Sequence, residues 1–263
     1  MFCFLKRQSR LVLILGAMVG LFSTHPAEAV ENNSFTNLLS QGEATGLRGD
    51  VPGALKIYAS ADTLAANNST ELCVLTKHYC DLMYDTTAPD LQKTLAQTAF
   101  DCAQRALKAD PSNAVAHLCV AVGYVKNFPY ADNETKVKWS KAIKRECETA
   151  IKLDPKQDVG YYLLGRWNYS TANLNFIYRG LVRLIYGGLP PASNEEAIKN
   201  FQRAIELAPN RIIHHHQLAI AYETTGQGKL AIAELEKCQT LKPVDRDDEQ
   251  AQKEAATLLS SLK

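Results

Sequence analysis

The chain has 263 residues, of which 46% are hydrophobic, and carries 29 basic and 28 acidic side chains. A formal net charge of +1 gives no electrostatic case for nucleic acid or an anionic membrane as partner of the chain as a whole. The length suits one repeat array or one to two ordinary domains.

The chain opens on a targeting pattern. Lys6, Arg7 and Arg10 form a basic start, Leu11 to Phe22 is an uncharged apolar run, and Ala27-Glu28-Ala29 is an A-x-A cleavage pattern before Val30. The run is shorter than the roughly 20 apolar residues of a permanent transmembrane helix. This predicts a cleavable signal peptide over 1–29, a mature domain over 30–263, and export to the periplasm or medium. N-terminal membrane anchoring is the alternative. Cleavage there moves the net charge to −1.

Beyond residue 30 an Ala-rich pattern ends in proline again and again. Ala106-Leu107-Lys108-Ala109-Asp110-Pro111, Ala150-Ile151-Lys152-Leu153-Asp154-Pro155, Ala204-Ile205-Glu206-Leu207-Ala208-Pro209 and Cys238-Gln239-Thr240-Leu241-Lys242-Pro243 each read as the last turn of a helix. Proline stops a helix because it lacks the amide donor and disfavours helix in the residue before it. Pro209 and Pro243 are 34 residues apart, the period of the tetratricopeptide helix–turn–helix repeat. The repeat places small, large and small residues at three fixed positions before each proline, and these hold Ala197, Phe201 and Ala204; Ala231, Leu235 and Cys238; Ile143, Cys147 and Ala150; and Ala99, Ala103 and Ala106. Ala54, Tyr58 and Ala61 keep that spacing without a closing proline. The phase predicts five units, 34–66, 69–109, 112–153, 157–207 and 210–241, followed by a capping helix over 247–262. The fold class is all-α: a tetratricopeptide-repeat right-handed superhelix, or α-solenoid, of about five helix pairs.

Two interruptions break the period. Phe128-Pro129-Tyr130 to Glu134 lengthens the turn of the third unit, and Asn173 to Pro191 splits the fourth. The second holds an extra helix, 174–186, with Leu174, Ile177, Leu181 and Ile185 on one face and Arg179 and Arg183 opposite. Gly187-Gly188 and Pro190-Pro191 end it, and Ser193 with Glu196 restarts the next helix as a capping box. An exposed apolar stripe is unfavourable, so the expectation is that this helix packs on the fourth and fifth units.

Gly160-Tyr161-Tyr162-Leu163-Leu164-Gly165-Arg166-Trp167-Asn168-Tyr169, Tyr186-Gly187-Gly188-Leu189-Pro190-Pro191, Asn194-Glu195-Glu196-Ala197 and Phe201 together resemble the regulator of microtubule dynamics family. The similarity runs from about Asn113 to Lys263 and is strongest between residues 150 and 210. Exported bacterial proteins share the pattern. For eukaryotic relatives the resemblance implies microtubule association and roles at organelle membranes. The departure is the export signal: an exported chain never meets tubulin, so microtubules are partners only if this chain is not exported.

No catalytic constellation emerges, and the reading is of a binding module, not an enzyme, without metal or cofactor. An enzyme would need a site assembled across repeats. His214-His215-His216 are consecutive on a helix, so they point about 100° apart and cannot converge on one ion. Gly226-Gln227-Gly228-Lys229 lacks the strand and spacing of a phosphate loop and reads as an inter-helix turn. His78 and His117 sit among apolar helical neighbours, and Asp247-Asp248 and Glu195-Glu196 fall at helix starts, where negative charge suits the dipole. The mature chain has six cysteines, of which Cys147 and Cys238 fall where the repeat wants a small buried residue, and Cys73 and Cys80, seven apart on one helix, are beyond disulfide reach of each other. Other pairings stay open.

The remaining candidate is the face shared by the first helices of the units. Its positions are Val115, Leu118, Val122 and Val125; Val159, Tyr162, Arg166 and Tyr169; and Ile213, His216, Ile220 and Glu223. Val122, Val125, Tyr162, Arg166, Tyr169, His216, Ile220 and Glu223 are the candidate groove for a protein or peptide partner, with aromatic and arginine anchors. Neither nucleic acid nor a small-molecule cofactor is expected. The alternative is that the protein fills this groove with its own inserted helix or N-terminal segment.

Overall fold

The prolines fall where the phase requires. The computed structural model describes residues 26–263, with side chains from residue 34 onward. The basic start and apolar run of the targeting pattern lie outside the described residues, and Ala27-Glu28-Ala29 falls in the backbone of the first described helix. Twelve α-helices follow in order among the described residues: α1 Pro26–Leu47, α2 Val51–Ala65, α3 Ser69–Leu82, α4 Pro89–Ala109, α5 Ala114–Asn127, α6 Asn133–Leu153, α7 Asp158–Ala172, α8 Phe176–Tyr186, α9 Asn194–Leu207, α10 Ile212–Thr224, α11 Gly228–Thr240 and α12 Arg246–Leu262. Helices α4, α6 and α9 each stop two residues before a proline. After two of these stops an aspartate fixes the turn: Asp110 Oδ1 accepts from Ser112 N at 2.9 Å, and Asp154 Oδ1 from Lys156 N at 3.0 Å. Side-chain caps start the next helices, Asn68 for α3, Asn113 for α5 and Ser193 for α9.

The described residues form two compact units, the first ending at Tyr130 and the second running Ala131–Lys263. In the first, α1 packs on α2, α2 on α3, α3 on α4, and α5 on both α3 and α4. Ala54, Tyr58, Ala61, Ala99, Ala103 and Ala106 are all buried, as the repeat phase demands. Arg105 ties α4 to the end of α2 through both oxygens of Asp62, at 2.7 and 2.8 Å, and through Ala66 O at 2.9 Å. The six cysteines from Cys73 to Cys238 are all buried free thiols. Burial pushes the Cys102 and Cys238 thiols up to about 12, so they are protonated, unreactive core groups.

In the second unit α6 packs on α7, α7 on α9, α9 on α10, α10 on α11, and α12 on α10 and α11. Ala197, Phe201, Ala204, Ala231, Leu235 and Cys238 are fully buried. The two helices of the third sequence unit are divided between the compact units, α5 in one and α6 in the other, where the 3₁₀ turn Phe128–Tyr130 lengthens the connection.

The inserted helix corrects the sequence reading. Helix α8 packs mainly on α6, touching the fourth unit where Arg179 reaches the end of α7, and Val182 is its one buried residue, at 3% exposure. The stripe expected to dock is open: Ile177 is 63%, Leu181 47% and Ile185 61% exposed. The cause lies in the repeat itself. A Cβ on Gly165 of α7 would come within 2.7 Å of the Phe201 ring of α9, so the two helices already touch and leave no slot for a third. The insertion therefore loops outward. Lys141 Nζ of α6 donates to Tyr186 O at 3.3 Å, and the left-handed Gly187 and Gly188 close its C-terminus.

Candidate partner-binding face

Helices α7 and α10 are the first helices of adjacent repeats within the second unit, and they carry most of the candidate positions. Val159, Tyr162, Ile213 and His216 are buried and form the floor. Arg166, Tyr169 and Ile220 are half-buried and Glu223 is exposed, so these four form the accessible rim. In the first unit, α5 places Leu118 and Val122 in the core, with Val115 and Val125 half-buried. The sequence phase thus names two kinds of residue together: those that shape the face and those that a partner can touch.

Contacts hold the rim in place. The Arg166 guanidinium lies 5.8 Å from the centre of the Tyr162 ring and donates to Tyr162 Oη at 3.4 Å. Tyr162 is wedged 5.1 Å from the His214 ring and 6.3 Å from Phe201. Tyr169 Oη and Thr224 Oγ1 are hydrogen-bonded at 2.9 Å, joining the C-terminal ends of α7 and α10. Burial, with the Arg166 charge nearby, lowers His216 to about 4, so its ring is neutral and packs as a core group. Trp167, on the other side of α7, donates to Ser140 O at 2.8 Å and anchors that helix to α6.

The N-terminal ends of the same helices are stitched by buried charge that sequence reasoning missed. His214 Nε2 of α10 meets Asp158 Oδ2 of α7 at 2.8 Å. Arg211, which caps α10, meets Asp245 Oδ2 at 3.0 Å and Asp248 Oδ1 at 3.4 Å, where α12 begins. Asp248 also accepts from Ile213 N at 3.0 Å and Val244 N at 3.3 Å. Asp247 and Asp248 do sit in the first turn of α12, but both are buried, and Asp248 acts as a fastener as well as a dipole partner. Burial works upward on Asp158, yet the hydrogen bond that it accepts from His214, with the Arg211 charge nearby, holds its carboxyl below the usual range. Burial outweighs the Asp158 carboxylate at His214 and lowers its pKa. His214 Nδ1 has no hydrogen-bond partner, which assigns the proton of the neutral ring to Nε2, toward Asp158. The available signal was the spacing: Asp245 lies one repeat period, 34 residues, after Arg211.

The three consecutive histidines turn to three separate surroundings. His214 faces Asp158, His216 packs near Arg166, and His215 bridges Glu234 Oε2 at 2.6 Å and Pro209 O at 2.9 Å. The Gly226-Gln227-Gly228-Lys229 segment runs from the turn after α10 into the first residues of α11, with Gly226 in the left-handed region at φ 74°.

Paired helices closed by proline, with small residues at each crossing, define an all-α tetratricopeptide protein. A thermophilic tetratricopeptide protein from Thermus thermophilus shares the fold at a TM-score of 0.58 and 17% identity, covering 85% of this chain and 99% of that one. The chain belongs to the regulator of microtubule dynamics family: the pattern described as Regulator of microtubule dynamics protein 1-3 matches residues 37–263. That match extends the resemblance well before Asn113, into the first repeat. Human regulator of microtubule dynamics protein 2 is 30% identical over 188 residues, which cover 70% of this chain and 45% of that protein. Rat regulator of microtubule dynamics protein 1 is 31% identical over 179 residues, 67% of this chain and 57% of that one. The chain spans about half the length of the curated relatives it matches.

Proposed function

We propose that this protein is an exported scaffold that binds a protein or peptide partner on the face of α7 and α10, through Arg166, Tyr169, Ile220 and Glu223. The observation that carries the reading is the rim itself. It sets an arginine braced on an aromatic ring and a tyrosine beside an aliphatic and an acidic side chain, over a floor closed by Tyr162 and His216. Arginine and tyrosine are the residue types that carry binding energy at protein interfaces. Val125 of α5 is the corresponding candidate in the first unit. The test is capture from the native compartment by the whole chain and by an Arg166→Glu/Glu223→Arg variant. Binding that survives the charge exchange unchanged contradicts the reading. Export is tested by the native N-terminus: cleavage leaves Val30 first, and an intact Met1 contradicts it.

The names of the relatives favour one second reading, in which the chain stays in the cytosol, anchored or free, and associates with microtubules. Co-sedimentation of the whole chain with polymerised tubulin, together with an uncleaved N-terminus, would establish it over the first.

A further inference from the structure

We propose that α8 is a surface-docking element that lies in the headgroup region of an anionic lipid bilayer. Among the described residues its outward arc is apolar and uncovered: Phe176 is 87% and Leu184 83% exposed, with Ile177, Leu181 and Ile185 alongside. A Cβ on Gly180, within the same arc, would meet nothing within 4 Å. The helix is held from behind by its packing on α6 and the burial of Val182, by Lys141 at Tyr186 O and by Arg179, which donates to Ala172 O and Leu174 O at the end of α7. The apolar stripe is therefore presented outward on a fixed base.

Charge selects the occupant. The chain as a whole is near neutral, but that balance hides a local asymmetry: no Asp or Glu occurs between Asp158 and Glu195, a stretch that holds Arg166, Arg179 and Arg183. Arg183 borders the apolar arc beside Phe176, with Arg179 behind it, and Lys141 stands at the C-terminal end. An apolar face edged by cations and free of carboxylates suits the interface of an anionic bilayer. A second copy of the chain fits less well. Two α8 faces would bring arginines together without a counter-charge, and an 11-residue helix about 16 Å long offers much less than a standard protein interface. The same length is far short of a bilayer's hydrocarbon thickness, so the helix lies on the membrane and does not cross it.

The experiment is co-sedimentation of the full chain with phosphatidylcholine vesicles, with and without phosphatidylglycerol, for the wild type and two variants, Ile177→Glu/Leu184→Glu and Arg183→Glu. These side chains are exposed, and unchanged thermal melts establish that each variant is folded. The expected result is wild-type partitioning roughly tenfold stronger with phosphatidylglycerol, weakened by salt, and reduced roughly tenfold in either variant. An environment-sensitive fluorescent residue placed at Leu184 should shift to the blue on the anionic vesicles only. Equal binding by wild type and variants, as when the apolar run near the N-terminus does the work, overturns the proposal. So does a wild-type dimer in light scattering that the double variant loses while vesicle binding is unchanged, and so does a solution-like emission at position 184.

Discussion

Gly165 and Phe201 occupy one volume between α7 and α9: the position a Gly165 Cβ would take lies 2.7 Å from two ring carbons of Phe201 and 3.2 Å from Ala197 O. Gly42 against Tyr58 and Gly123 against Phe100 repeat the relationship in the first unit. A glycine on one helix admits an aromatic ring from its neighbour, and that close approach sets the distance between them.

Gly165→Ala should therefore cost about 1–3 kcal/mol by overpacking, because the Phe201 ring is fully buried and has nowhere to move. Ala204→Leu, at the fully buried crossing of α9, should cost a similar amount. Denaturant midpoints of both variants check this, and a wild-type midpoint for either would remove that residue from the helix contact.

Leu181→Asp should be nearly neutral, within about 0.5 kcal/mol of the wild type, since Leu181 faces outward from α8. Val182→Asp should cost several times more, because Val182 is the one buried residue of α8. Thermal melts of the pair read out which side of α8 docks.

These two residues mark the limit of what the sequence conveys. Helix order, repeat phase and the buried small residues were legible because proline stops and alanine spacing are local signals. The division between α5 and α6 was not, since no local signal distinguishes a long turn within a repeat from a boundary between units. The stripe on α8 was legible as amphipathic, but periodicity does not say which edge docks. The Gly165–Phe201 contact, which shuts the insertion out, is a tertiary fact. At the candidate site, the phase named one helix face yet could not sort its buried floor from its accessible rim. The Arg211–Asp245–Asp248 and His214–Asp158 pairs were missed because charged residues at helix starts ordinarily read as solvated.

Arg211→Met should be strongly destabilising, by about 3–5 kcal/mol, because it leaves the buried Asp248 carboxylate without its counter-ion. Adding Asp248→Asn should recover part of the loss, since an amide still accepts from Ile213 N. A double-mutant cycle by chemical denaturation measures the coupling, and simple additivity would contradict the pairing.

Stability should fall with acid before the carboxylates titrate. Burial lowers His78 and His216 to about 4, from an ordinary value near 6.5. Above pH 6.5 both states are neutral there and nothing is lost. Between pH 6.5 and 4 the unfolded chain takes up protons that the folded chain refuses, so stability drops by about 1.4 kcal/mol per pH unit for each histidine. His216→Leu should flatten the decline of Tm over that range, and an unaltered slope would show that His216 already binds its proton in the folded state.

The central claim is that the face of α7 and α10 is where a partner lands, and site-specific photocrosslinking in the native compartment tests it most directly. A photoreactive residue placed at Tyr169 or Ile220 should yield a discrete adduct with one partner, while the same probe at Lys199, exposed on α9, should yield none. Adducts from Lys199 with none from Tyr169 and Ile220 would contradict the account.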